Sequence, residues 1–190
     1  MSSVKFVPAS GKCTSGLMVV GEAPGETEDK EGRPFCGRAG KLLDKMLDYI
    51  GLNRENVYVT NIVKVRPTQL PLDITSSIYS NVTMIKLQNR TPTDEELESW
   101  KLPLLKELNE TQPKVILALG NCASKVLLQA TDGITKLRGK AYPLKLEVYF
   151  WKVCVIPTYH PAYLLRKSGD KIINAQVKED LKLVQKILNP

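Results

Sequence analysis

The sequence predicts an α/β fold: a three-layer α/β/α sandwich around a central, mainly parallel sheet of about four strands. Two observations predict it. Short apolar or β-branched runs, at Leu17–Gly21, Val57–Ile62, Lys114–Gly120 and Val153–Pro157, alternate with segments of helical period. That alternation is how a chain lays a parallel sheet between two helical layers. The run Lys114–Gly120 is almost wholly apolar, as expected of a strand covered on both faces. A length of 190 residues suits one domain, residues 1–190, with a substantial core.

Taken in order, residues 1–15 are weakly patterned and read as a tail or short edge. Strand Leu17–Gly21 feeds a long loop, Gly21–Gly40, rich in acidic residues and turn formers. Leu42, Leu43, Met46, Leu47 and Ile50 then recur at helical spacing, predicting a helix over 38–50 with Gly51 as its C-cap. The strand Val57–Ile62 follows. Residues 67–92, punctuated by Pro67, Pro71 and Pro92, have no clean period and read as an irregular insertion with a short hairpin. Thr93-Asp94-Glu95-Glu96 is a capping box opening a helix that Pro103 should interrupt or kink. After Lys114–Gly120 come a short helix, Asn121–Gln129, and a polar, basic loop, Ile134–Lys140. Residues 146–158 make one or two strands. His160–Arg166 opens a further segment, and 173–188 closes the chain as an amphipathic helix.

Composition excludes several function classes. No apolar run approaches the roughly 18 residues of a membrane span, and the first residues lack a signal peptide's apolar core. An intracellular, cytoplasmic protein, not bound to membrane and monomeric, is expected. The four cysteines (Cys13, Cys36, Cys122, Cys154) are scattered and there is one histidine, so a zinc site of paired spacing is excluded and thiols are expected. The formal charge of +7 favours a polyanionic partner.

In a parallel α/β sheet, ligands gather at the carboxyl ends of the strands. Three unusual polar residues fall there: Glu22 after the first strand, Asn61 ending the second, and His160 after the last. With Phe35, isolated among glycines and prolines, they supply a stacking face, a bidentate amide and a hydrogen-bond partner. Those are the parts needed to read one flat heterocycle. A lone histidine or a strand asparagine is by itself commonly structural; the shared location is what makes them a site.

The blocks Gly21-Glu22-Ala23-Pro24-Gly25, Glu28-Asp29, Gly32-Arg33-Pro34-Phe35, Gly37-Arg38-Ala39-Gly40, Thr60-Asn61-Ile62-Val63-Lys64 and His160-Pro161-Ala162-Tyr163-Leu164-Leu165-Arg166 stand in an order and spacing that resemble the family 4 uracil-DNA glycosylases. Leu119-Gly120 and Ile134–Lys140 fit as well, so the resemblance spans about residues 17–166. It implies a monofunctional enzyme that flips uracil out of single- or double-stranded DNA and hydrolyses its N-glycosidic bond. On that resemblance Glu22, Asn61 and His160 are the catalytic candidates. Glu22, Ala23, Glu28, Phe35, Asn61 and His160 form the uracil pocket, with Glu28 excluding thymine's methyl group. Arg38, Lys41, Arg66, Arg138, Lys140, Arg166 and Lys167 would meet DNA phosphates, with Leu164 and Leu165 wedging into the vacated stack. A sliding clamp or other repair partner stays open.

The same resemblance implies a four-iron cluster held by four cysteines, and here the sequence departs from it. Only Cys13 lies in residues 1–16, Val65 occupies the third ligand position and Ser99 the fourth. A member without cluster, metal or other cofactor is expected, and residues 70–88, extra to the family pattern and rich in apolar side chains, are expected to be ordered against the domain in its place. Two other readings compete. A non-catalytic reader of damaged bases would share fold and pocket. A generic nucleotide-binding protein is disfavoured, because the loop after the first strand is acidic and no phosphate-cradling Gly-Lys-Ser/Thr loop occurs.

Overall fold

The computed structural model describes residues 5–70, 87–146 and 151–189. Its strands are β1 (Leu17–Gly21), β2 (Tyr58–Asn61), β3 (Thr68–Gln69), β4 (Gln88–Asn89), β5 (Val115–Leu119), β6 (Tyr142–Pro143) and β7 (Cys154–Thr158). The main sheet has five strands in the order β2-β1-β5-β7-β6. The first four in that order are parallel, and β6 closes the far edge antiparallel to β7. The fifth strand is the departure from the expected four. It is two residues long and contains a proline, too short to carry a period in sequence.

The helices are α1 (Glu26–Glu31), α2 (Arg38–Tyr49), α3 (Asp94–Ser99), α4 (Lys101–Thr111), α5 (Gly120–Leu128), α6 (Ile134–Leu137), α7 (Pro161–Arg166) and α8 (Lys171–Leu188). Successive residues of β1 face opposite layers. Leu17 and Val19 pack with Leu43 and Leu47 of α2 and Leu181 and Val184 of α8, while Met18 and Val20 pack with Leu104 and Leu108 of α4 and Leu127 of α5. All five residues of β1 and of β5 are buried, which is why those runs contain no charge. No described helix is long and apolar enough to cross a membrane.

Three local outcomes differ from the sequence reading. The acidic loop contains α1, with Glu26, Glu28 and Asp29 in its first turn, where negative charge suits the helix dipole. The capping box at Thr93 opens α3 as expected, but the chain breaks at Trp100 and restarts as α4. Pro103 lies in the first turn of α4, where its missing N–H has no partner to lose. Ile134–Leu137, expected as loop, makes one helical turn.

The near edge of the sheet is partly covered by the N-terminal segment. Ser10 exchanges both backbone hydrogen bonds with Val59, and the Val7 N–H donates to the Lys64 carbonyl. The expected ordering of the 70–88 insertion lies largely outside the described residues. At its two ends β3 and β4 pair antiparallel, Thr68 with Asn89 and Gln69 with Gln88, and Leu70 and Leu87 are exposed.

Candidate active site

Register brings the site together. Gly21 at the end of β1 pairs with Asn61 at the end of β2, and β5 pairs Leu119 with Thr158, two residues before His160. Glu22, Asn61 and His160 therefore leave the sheet at the same end. Phe35 joins them from the acidic loop, its backbone at φ 51°, a left-handed conformation uncommon for a bulky residue. Arg54 holds it there by donating to the carbonyls of Pro34 (2.7 Å) and Phe35 (3.3 Å). A Cβ at Gly21 would lie 2.5 Å from Phe35 Cζ and collide with Asn61 Oδ1, so any side chain there would displace both.

That oxygen is the most informative atom in the protein. Asn61 is 4% exposed, and among the described residues its Oδ1 is the one buried side-chain polar atom without a hydrogen-bond partner. A buried acceptor left unpaired costs about 1–3 kcal/mol, so a site that keeps one is built to meet a donor on a ligand.

His160 caps the N-terminus of α7. Its Nδ1 accepts the Ala162 N–H at 3.1 Å, and Pro161 follows at the first helical position. An Nδ1 that accepts carries no proton, so the neutral ring holds its hydrogen on Nε2 and presents a donor. Burial, helped by the charge of Arg166 and opposed by Glu28, pushes the histidine down to about 4. The ring centroid is 5.8 Å from that of Phe35, tilted by 33°.

These residues line an open cleft of about 540 Å³, within the usual range for a small-molecule pocket. Glu28 closes one wall: its two carboxylate oxygens accept the N–H groups of Gly37 (2.9 Å) and Gly25 (3.2 Å), tying the N-caps of α2 and α1 together. Glu22 and Ala23 line the cleft beside it. Burial raises the Glu22 carboxyl above its ordinary value. The Cys122 thiol, pushed up to about 12 by burial and then by Glu22 and Asp94, stays protonated and is no nucleophile.

The basic residues divide. Arg38 and Arg166 line the cleft and are exposed, and Lys41, Lys140 and Lys167 are exposed on neighbouring elements. Arg66 and Arg138 are engaged within the protein. Arg66 donates to Asn89 Oδ1 (2.6 Å) and the Leu87 carbonyl (3.2 Å), pinning the base of the β3–β4 ribbon. Arg138 grips Asp180, itself fully buried, with two hydrogen bonds (2.5 and 3.1 Å) and donates to the Gln176 carbonyl, while Thr158 donates to the same carboxylate at 2.7 Å. This latch fastens α8 to the strand end that presents His160. Leu164 is buried in the core and cannot serve as a wedge without leaving it, whereas Leu165 is half-buried.

The placement of Arg138 has a measurable consequence. Arg138→Gln should cost about 1.5–3 kcal/mol, the worth of its charge-assisted hydrogen bonds. For a chain of this size that is a fall in melting temperature of roughly 3–12 °C. The salt dependence of DNA binding should not change. A slope reduced by about one would return Arg138 to the phosphate contacts.

Of the positions the resemblance assigns to cluster ligands, Val65 packs against the apolar layer that holds Trp100, and the Ser99 hydroxyl donates to the Glu96 carbonyl at 2.7 Å. The Phe6 ring lies 6.0 Å from that of Trp100, joining the N-terminal segment to the end of α3. Among the described residues no three His, Cys, Asp or Glu side chains gather as a metal site. Val65 is apolar and Ser99 offers a hydroxyl, whereas iron–sulfur clusters are held by cysteine thiolates.

Sequence reasoning missed Asn89 and Arg90, which line the cleft, and the fully buried Lys64. The first two reach it through pairing across the insertion, which no local pattern reveals. Lys64 closes the block Thr60–Lys64 that carries the resemblance, but nothing in that block assigned it a role.

The model of the uracil DNA glycosylase superfamily matches residues 8–185. The chain is 36% identical over 186 residues to a type-4 uracil-DNA glycosylase of Sulfurisphaera tokodaii, covering 95% of this chain and 74% of that protein. It is 39% identical over 170 residues to the type-4 enzyme of Archaeoglobus fulgidus, covering 86% of this chain and 74% of the relative. A type-4 enzyme of Thermotoga maritima is 37% identical over 173 residues, covering 90% and 78% respectively.

Proposed function

The chain belongs to the uracil DNA glycosylase superfamily, and on that footing we propose that it removes uracil from DNA, flipping the nucleotide out and hydrolysing its N-glycosidic bond. The orphaned Asn61 Oδ1 carries this reading. Uracil offers an N3–H donor beside the O4 acceptor. An asparagine amide meets both, accepting the first on Oδ1 and donating to the second from Nδ2. Cytosine reverses the pattern, with a bare N3 beside an amino group, and would strand buried polar atoms on both sides.

The chemistry follows from what surrounds that amide. As the bond between C1′ and N1 breaks, its electron pair leaves with the base and negative charge grows on O2, while the sugar becomes oxocarbenium-like. The Phe35 ring supplies a stacking face. The neutral His160 presents Nε2–H to O2, a fixed dipole aimed at developing charge, without surrendering its proton. Glu22, an anion at the same strand end, supports the cationic sugar and orders the water that adds to C1′; the water's proton passes to solvent. Exposed Arg38 and Arg166 at the cleft mouth suit backbone phosphates, which position the strand without reading sequence.

We also propose that the protein works without an iron–sulfur cluster, since at positions the resemblance assigns to cluster thiolates Val65 has no donor atom and Ser99 offers only a hydroxyl. An apolar contact, Phe6 on Trp100, joins the segments the resemblance would have bridged with metal.

The deciding experiment incubates the purified protein, assayed for iron, with oligonucleotides carrying U·G, U·A, single-stranded uracil, T·G or hypoxanthine. Alkali then reveals abasic sites. Abasic product from the uracil substrates, insensitive to chelator and from an iron-free preparation, is the expected result. Tight binding to uracil DNA with no abasic product after long incubation in protein excess would leave a reader of damaged bases.

A further inference from the structure

We propose that Lys64 is a positioning residue for Asn61: its buried ammonium group fixes the main chain from which the Asn61 amide reads the base. The inference rests on the role proposed above for Asn61.

The argument begins with a missing donor. Ser10 and Val59 exchange both backbone hydrogen bonds as an antiparallel pair. Two residues further along that register, residue 8 would stand opposite Asn61 and donate its N–H to the Asn61 carbonyl. Residue 8 is a proline and has no N–H. On its other side the strand end is well held, since the Ile62 and Val63 N–H groups donate to the carbonyls of Gly21 (3.0 Å) and Glu22 (3.1 Å). The outward carbonyl of Asn61 is the group that the edge leaves without a backbone partner.

Lys64 supplies the bond. Its side chain turns back along the strand, and Nζ donates to the Asn61 carbonyl at 2.6 Å. The other two ammonium protons go to Thr60 Oγ1 and to Glu107 Oε2, the latter at 2.7 Å. Thr60 Oγ1 in turn donates to Glu107 at 3.0 Å. Three donors meet three acceptors, which is how the charge of a lysine only 1% exposed can be kept there. Burial still pulls Lys64 below its ordinary value, with Glu107 acting against that shift. The network ties the reading residue to α4 on the body of the domain. A solvated lysine would leave the outward Asn61 carbonyl with only a long contact from the Thr60 hydroxyl, at 3.4 Å.

A buried ion pair can also serve the fold alone, and a double-mutant cycle separates the two roles. Single-turnover excision of uracil is measured for the full-length protein, Lys64→Met, Asn61→Ala and the double variant. If Lys64 acts through Asn61, Lys64→Met slows excision by about tenfold or more, the worth of one charge-assisted hydrogen bond. In the Asn61→Ala background the same change should cost less than about twofold, because there is no amide left to aim. Affinity for undamaged duplex should hold in both. Should Lys64→Met lose its cooperative melting transition, Lys64→Met with Glu107→Met removes both charges together and takes its place in the cycle. An equal slowing in both backgrounds, or none in either, would overturn the inference. Failure of the unaltered protein to release uracil would defeat the reading of Asn61 itself, and shows before any variant is made.

Discussion

His160→Ala is expected to slow single-turnover release of uracil by about 100- to 1000-fold, a loss of roughly 2.7–4 kcal/mol of transition-state stabilisation, with DNA affinity little changed. The size follows from the geometry. The Ala162 N–H occupies Nδ1, so Nε2–H is the free end of the ring, and the surroundings hold the ring neutral down to about 4. A donor that never gives up its proton leaves a signature in pH. Excision should show no loss as pH rises through 6.5, where an imidazolium acting as general acid would be deprotonated. Stability should show the complementary effect. The unfolded chain takes a proton on this residue near 6.5, the folded protein only near 4, so stability is complete above 6.5 and is lost as pH falls towards 4. An alanine variant within a few fold of the parent would remove His160 from the mechanism, and a rate that declines through 6.5 would replace the neutral donor with a general acid.

Asn61→Asp should disturb selectivity more than any other single change. A site built to hydrogen-bond its substrate rejects the analogue lacking that pattern by about 10⁴–10⁵. The aspartate keeps the acceptor for N3–H and loses the donor for O4, placing negative charge against that oxygen instead. When protonated, it offers a donor to the bare N3 of cytosine. Uracil release should therefore fall by orders of magnitude, and the ratio of uracil to cytosine excised should narrow by a larger factor than in Asn61→Ala. Parallel time courses on U·G and C·G duplexes measure that ratio. A ratio unchanged from the parent would mean that the base is read elsewhere.

The residues differ in how openly the sequence displays them. β1, β2, β5 and β7 are visible as apolar or β-branched runs because burial on both faces leaves no room for charge. Their register, and with it the meeting of Glu22, Asn61 and His160, follows from the parallel order. Helix α1 could not be seen, since none of its residues is buried and periodicity has nothing to mark. The two ionic latches were hidden for a different reason. Lys64 and Arg138 look like surface cations until Glu107 and Asp180, more than 40 residues away in each case, are brought to them. Charge pairing at that distance is a property of the fold, and a residue's own neighbours in sequence say nothing of it. The insertion was set apart by its lack of a clean period and by being extra to the family pattern.

The left-handed backbone of Phe35 has one more consequence. A non-glycine residue in such a region costs of order 1–3 kcal/mol, and it persists because the Arg54 clamp and the close approach of Gly40 to the Phe35 carbonyl leave no alternative. Glycine at position 35 would relieve that strain and erase the ring proposed as the stacking face for the base. Here thermostability and turnover pull in opposite directions. A population evolved for heat resistance alone would be free to drift towards glycine, whereas selection for the proposed excision would keep the strained aromatic.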